Sequence, residues 1–121
     1  MFDHVGLRVR DLAASVRFYA AALEPLGVEV CARDDDGAGL GPPGAPALWL
    51  HRASGDAPPR GVHLAFRAPS RDAVDAFHAK GCAASGRDHG APGLRLDYAP
   101  NYYAAFLVDP DGNNVEAVHF G

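Results

Sequence analysis

Residues 2–9 read FDHVGLRV, and their alternation sets how the rest of the chain is parsed. Val5, Leu7 and Val9 fall on one face of an extended segment, while His4, Gly6 and Arg8 fall on the other. Such a strand has a core side and a side equipped with an imidazole and a guanidinium. Asp11 follows as a helix N-cap, and Leu12, Val16, Tyr19 and Leu23 recur at helical spacing up to residue 23. Pro25 and Gly27 stop that helix. A second strand is expected over residues 28–32, and a turn or short irregular strand over 34–41. The short strand ALWLHR at 47–52 then precedes a Pro/Gly-rich connector, residues 53–61.

The second half opens in the same manner. A shift of 59 residues carries His4 onto His63, Arg8 onto Arg67, Asp11 onto Ser70 and Phe18 onto Phe77. A strand is expected over 62–68, then a helix capped by Ser70 that runs to about Lys80 and ends at Gly81. Residues 86–100, GRDHGAPGLRLDYAP, are expected to form a loop of the length that lids and binding loops use, with Asn101 or Tyr98 near a ligand. Strands over 102–108 and 113–120 close the chain around the turn DPDG at 109–112. Proline sets φ there and glycine supplies the positive φ.

A repeat this long, seen twice, predicts two fused modules. Module one covers about 1–55 and module two about 61–121, within a single domain 1–121. The expected fold class is α+β, with paired βαβββ modules curling into an eight-stranded, partly closed cup. Val5, Leu7, Leu64 and Phe66 face the helices, and His4, Arg8, His63 and Arg67 line the concave side.

Bulk properties exclude several functions. A net charge of −4 with singly scattered basic residues disfavours nucleic acid, which requires a concentrated basic face. No stretch approaches the roughly 20 apolar residues that cross a bilayer, and charges in the first twelve residues argue against a signal peptide. A cytoplasmic location is expected, with Cys31 and Cys82 reduced and half-buried.

The chemistry-bearing residues are two histidines at duplicated positions and one glutamate. Glu116 lies in the apolar run Val115, Ala117 and Val118, where an unpartnered carboxylate is costly to bury. A cation removes that cost, and so does an arginine, Arg8 or Arg67. Two imidazoles and a carboxylate with open positions suit Fe, Mn, Co, Ni or Zn in Lewis-acid or oxygen chemistry.

Three stretches, DHVGLRVRDLAASVRFYAAAL (3–23), GVHLAF (61–66) and AAFLVDPDGNNVEAV (104–118), resemble the vicinal-oxygen-chelate superfamily over nearly the whole chain. That superfamily includes glyoxalase I, extradiol dioxygenases, fosfomycin-inactivating transferases and bleomycin-sequestering proteins. The resemblance implies the paired βαβββ fold and one divalent metal ion. Its ligands would be His4 on the first strand, His63 on the fifth and Glu116 on the last. It also implies, by analogy alone, a homodimer.

The match departs at particular positions. Trp49 stands where glyoxalase I supplies a fourth ligand, leaving His51 on the same strand face as a fourth ligand or base. Phe106 stands ten positions before Glu116, where extradiol enzymes and the transferases carry a tyrosine. Gly6 replaces a threonine of the transferases, and His89 is only a loose candidate for the histidine that extradiol enzymes place beside the metal. No catalytic residue is assigned.

A substrate pocket is expected from Arg8, Trp49, Arg67, Tyr102 and Phe106. Of the adjacent tyrosines, parity with Phe106 turns Tyr102 inward and Tyr103 away. The expected activity is that of a glyoxalase-like metal-dependent lyase or isomerase acting on a small oxygenated molecule. The alternatives are an Fe(II) extradiol-type dioxygenase and a non-catalytic small-molecule binding or resistance protein.

Overall fold

The structure is a computed structural model that describes residues 1–54 and 61–121. The connector expected at 53–61 falls largely on residues outside that description. In chain order the elements are β1 (Val5–Val9), α1 (Leu12–Leu23), β2 (Glu29–Arg33), β3 (Gly37–Gly41), β4 (Leu48–Arg52), β5 (His63–Arg67), α2 (Arg71–Ala83), β6 (Arg87–Leu94), β7 (Tyr102–Val108) and β8 (Asn114–Phe120). A 3-10 turn at Glu24–Leu26 follows α1, and Gly27 closes it in the left-handed region with φ 85°.

The paired βαβββ architecture is as expected. Two four-stranded sheets form, ordered β1-β4-β3-β2 and β5-β8-β7-β6, and they do not close into a barrel. The duplication reaches atomic detail. Asp11 caps α1 by accepting from Ala14 N at 3.0 Å, and Ser70 caps α2 by accepting from Ala73 N at 3.1 Å. In each module the first strand pairs in parallel with the last. Gly6 stands opposite Trp49, and Ala65 opposite Glu116. Gly6 and Ala65 are related by the 59-residue shift, so Trp49 occupies in module one the place that Glu116 holds in module two.

Two expected boundaries are corrected. The segment 86–100 is not a long loop: residues 87–94 form the edge strand β6, and only the turn after it is irregular. Its glycines and proline fall at two register breaks against β7, between Asp88 and Gly90 and between Gly90 and Gly93. An edge strand tolerates Pro92 at such a break because no neighbour needs its missing N–H. The second helix also runs past Gly81 to Ala83. Gly81 is a contact glycine there: a Cβ would stand 3.2 Å from Ala22 Cβ and 2.3 Å from Leu107 Cδ1. Close approach of α1 and α2 requires its absence.

The modules meet through these helices in one continuous core containing Phe18, Tyr19, Leu23, Val74, Phe77 and Leu107. A buried polar hub reinforces the join. Asp109 accepts from the Tyr19 hydroxyl (2.5 Å), from Asp111 N (2.9 Å), from Asn113 N (2.8 Å) and from the Asn113 side-chain amide (3.1 Å). Asp111 in turn accepts from Arg10 N (3.1 Å) and Ser15 Oγ (3.4 Å). The DPDG turn of module two is thus bolted to the first helix of module one.

Burial, then the Asp109 charge and its hydrogen bond, push the Tyr19 phenol well above its ordinary value of 10.0. The folded chain therefore holds that proton more tightly than the unfolded chain. Its stabilisation is complete below pH 10 and is lost as pH rises beyond it. Tyr19→Phe, which strips one donor from a buried carboxylate, is expected to lower stability by about 1–3 kcal/mol in urea unfolding at pH 7. The same variant should lose stability less steeply than wild type above pH 10, and parallel alkaline curves would contradict the assignment.

Candidate functional site

On the face of the second sheet opposite α2, alternation brings His63, Tyr102, Phe106, Asn114 and Glu116 around a cavity of about 300 Å³, with Tyr98 at its rim. Glu116, on the central strand β8, is only 3% exposed. Its Oε1 lies 3.0 Å from His63 Nε2, and its Oε2 accepts a short hydrogen bond from the Tyr102 hydroxyl. The partner of this buried carboxylate is therefore an imidazole and a phenol. Arg67 lies elsewhere, its guanidinium 5.1 Å from the Phe120 ring centroid, and Arg8 makes no contact with Glu116. The arginine-paired alternative is corrected on that ground.

Phe106 stands opposite Glu116 in register and lies 6.4 Å, centroid to centroid, from the His63 ring at 24°. Burial chiefly, then the hydrogen bond to Glu116 and its charge, push the Tyr102 phenol up to about 12. Tyr102 thus remains a protonated donor at neutral pH, and Glu116 the acceptor. Tyr103 points the other way and donates to Asp75 on α2 at 2.6 Å, as strand parity requires.

The matching face of module one carries different chemistry. Trp49 lies flat on β3: a Cβ built on Gly39 would come 2.7–3.0 Å from three atoms of its six-membered ring. His51 lies parallel to it, 6.5 Å away at 14°, over Gly37 and Gly6. These rings border a separate cavity of about 260 Å³ with Arg33, Asp34 and Asp36. Arg8 stands opposite His51 in register.

His4 precedes β1, is exposed, and has Nδ1 2.7 Å from its neighbour Asp3. Among the described residues no three His, Cys, Asp or Glu side chains converge on a common point. Within one chain the structure brings His63, Glu116, Tyr102 and Phe106 together. It leaves His4, Arg8, Trp49 and His51 on the other module, with Arg67 against Phe120. Cys31 and Cys82 are free, half-buried thiols.

The loop expected to cover the mouth contributes Tyr98, edge-on to Tyr102 at 5.0 Å, whereas Asn101 lies outside the cavity wall. His89 lines an adjoining cavity with Arg95. Asn114 and Arg95 went unnoticed in the sequence. Asn114 shares parity with Glu116 two residues on, a signal the sequence carries, whereas Arg95 lies in a stretch of loop composition.

The glyoxalase/bleomycin resistance protein/dioxygenase superfamily profile matches residues 1–117. The chain belongs to that superfamily. A glyoxalase/bleomycin resistance protein from Albidiferax ferrireducens T118 is 34% identical, with a TM-score of 0.86 over 100% of this chain and 99% of that one. A glyoxylase/bleomycin resistance protein/dioxygenase domain from Frankia sp. EAN1pec is 26% identical, with a TM-score of 0.68 over 98% and 95%. An enzyme of the same family from Burkholderia phytofirmans PsJN, at 20% identity and a TM-score of 0.74 over 98% of each chain, shares the fold. No curated protein matches the chain. No helix among the described residues is long and apolar enough to cross a membrane.

Membership explains the shared scaffold, while the flat Trp49 is a local device that glycine makes room for. Trp49 is the only tryptophan, so its emission reports that device directly. Gly39→Ala is expected to lift the indole off β3, shifting emission to the red and raising acrylamide quenching while the circular dichroism stays that of wild type. Unchanged emission and quenching would show that the ring does not rest on Gly39.

Proposed function

We propose that this protein is a metal-dependent, glyoxalase-like enzyme for a small oxygenated molecule, and that its metal site is completed between two copies of the chain. The observation that carries this reading is the His63–Glu116 pair, an imidazole nitrogen and a buried carboxylate oxygen 3.0 Å apart at the wall of an open cavity. A nitrogen and an oxygen donor so placed fit a borderline divalent ion. The third donor, His4, stands apart from them in the same chain, so a second copy must supply it.

The open edges of β1 and β5 support that arrangement. Each is hydrogen-bonded on one side only, and between them lies an apolar cavity of about 410 Å³ lined by Phe2, Val5, Leu48, Leu64 and Phe66. Unprotected strand edges beside exposed apolar surface are the usual substrate for pairing. Phe2, at 79% exposure, is the most exposed of these five.

A divalent ion held by His63, Glu116 and the second copy's His4 would supply Lewis-acid polarisation of a bound carbonyl or enolate, or a site for oxygen chemistry. The chain's own residues do the rest. Tyr102 fixes the Glu116 carboxylate through its hydroxyl, leaving Oε1 directed at His63. The phenol stays protonated to about pH 12, so it positions and does not act as a base at neutral pH. Phe106 excludes water from one wall. Trp49, in the place equivalent to Glu116, makes that module a wall and not a ligand set. We infer a lyase or isomerase in preference to an extradiol dioxygenase because Phe106 carries no acid–base group.

Among the described residues no three donors converge within one chain, and that observation favours a second reading, a cup that binds a small molecule without catalysis. Elemental analysis of the purified protein, alone and after incubation with nickel, manganese, cobalt, zinc or anaerobic iron, separates the two. About one divalent ion per chain, lost in both His63→Ala and His4→Ala, is expected. Iron accompanied by oxygen uptake would move the chemistry to the dioxygenase. No metal under any condition would leave the binding cup.

A further inference from the structure

The bulged strand β6 builds a feature that the metal reading does not use. At both of its glycines the space left by the missing side chain is occupied by Arg95. A Cβ on Gly90 would stand 3.2 Å from Arg95 Nη2 and 2.9 Å from the Phe106 ring, and one on Gly93 would stand 3.2 Å from Arg95 Nη1. The guanidinium therefore lies across the strand onto Phe106, 5.4 Å from the ring centroid, and Nη2 donates to Ala91 O at 2.6 Å. Among the described residues no carboxylate lies within 4.0 Å of it. Arg95 is thus an oriented cation whose charge is not neutralised and whose remaining donors are unspent.

Its surroundings are those of a binding compartment. Arg95, His89, Tyr98, Phe106 and Asn114 line a cavity of about 250 Å³. Tyr98, Phe106 and Asn114 also line the cavity of His63 and Glu116, so the two compartments share a wall. In that wall Asn114 Oδ1 is buried with no hydrogen-bond donor among the described residues, and Asn114 stands opposite His63 in register. A buried acceptor left empty is costly, and a ligand hydroxyl would relieve it. A guanidinium pre-oriented on an aromatic ring favours a planar anion that takes two parallel hydrogen bonds.

We propose that Arg95 is the anion-recognising residue of the site and that the ligand is a small hydroxy acid. Its carboxylate pairs with Arg95, and its hydroxyl donates to the Asn114 amide, which turns to meet it. The remainder of the molecule extends toward His63 and Glu116. This inference rests on the proposed function for what the far end of the ligand meets, but the carboxylate contact requires no metal.

The test uses the 121-residue chain freed of metal by chelator, followed by NMR at the Arg95 side-chain Nε–H. Three probes of similar size are titrated: lactate, propionate without the hydroxyl, and lactamide without the charge. Lactate is expected to bind and shift the Arg95 resonance, propionate to bind about fivefold more weakly, and lactamide not to bind. Arg95→Ala should abolish lactate binding, and Asn114→Leu should reduce lactate to the level of propionate. Should Asn114→Leu fail to fold, the wild-type comparison of lactate with propionate decides that contact alone. His63→Ala should still bind lactate, so failure of the metal reading leaves this result standing. Lactate binding that survives Arg95→Ala, lactamide binding equal to lactate, or no shift at Arg95 would overturn the proposal.

Discussion

The carboxylate of Asp109, 2% exposed at the head of the DPDG turn, gathers four donors from two modules, and the arrangement of the molecule depends on it. A buried charge is tolerated only when its lone pairs are filled, and here the Tyr19 hydroxyl fills one from the other module. The hub therefore sets which faces meet: α1 and α2 pack on each other across the Ala22–Gly81 approach, and their apolar sides form one core. Joining the modules by their helices leaves β1 and β5 each unpaired on one side. It also leaves His4 on one module and the His63–Glu116 pair on the other. One polar interaction remote from the cavities thus holds the three proposed metal donors apart within a chain.

The two sheets have diverged in a way that makes them complementary. Module two keeps a buried carboxylate with an imidazole and a phenol on it, a set able to hold a cation. Module one puts an indole at the equivalent register position and flattens it on glycine, producing an apolar floor. Duplication supplies two copies of one scaffold, and the glycines of β3 and β6 adapt each copy to a different task. On β3 they admit Trp49 and His51, and on β6 they admit Arg95. In each case the missing side chain is replaced by one from elsewhere.

Much of this was legible in the residues. Alternation in FDHVGLRV assigned the two faces of β1 correctly, and the 59-residue shift anticipated a cap, a helix and a strand that recur almost atom for atom. Parity separated Tyr102 from Tyr103. What failed was non-local. Residues 86–100 carry loop composition, yet 87–94 form an edge strand on which Pro92 and the register breaks against β7 are tolerated. Gly81 carries the mark of a helix end, but its role depends on Ala22 and Leu107, which lie far away in sequence. Asp109 and Asp111 could be read only as turn residues, because the Tyr19, Arg10 and Ser15 that they bind belong to the other module. The proposed metal donors group by chemistry in the sequence, but no sequence pattern says whether such a group closes within one chain or between two.

Subunit complementation tests that division most directly. A His4→Ala chain and a His63→Ala/Glu116→Ala chain are co-expressed, and the metal content of the mixture is compared with that of each parent. If the site is shared, each parent holds none. The mixed dimer then regains one complete site from its two unmutated halves, so random pairing gives about one-quarter of the wild-type metal. A mixture as empty as its parents, or a His4→Ala parent that binds metal as wild type does, would contradict a site built between two chains.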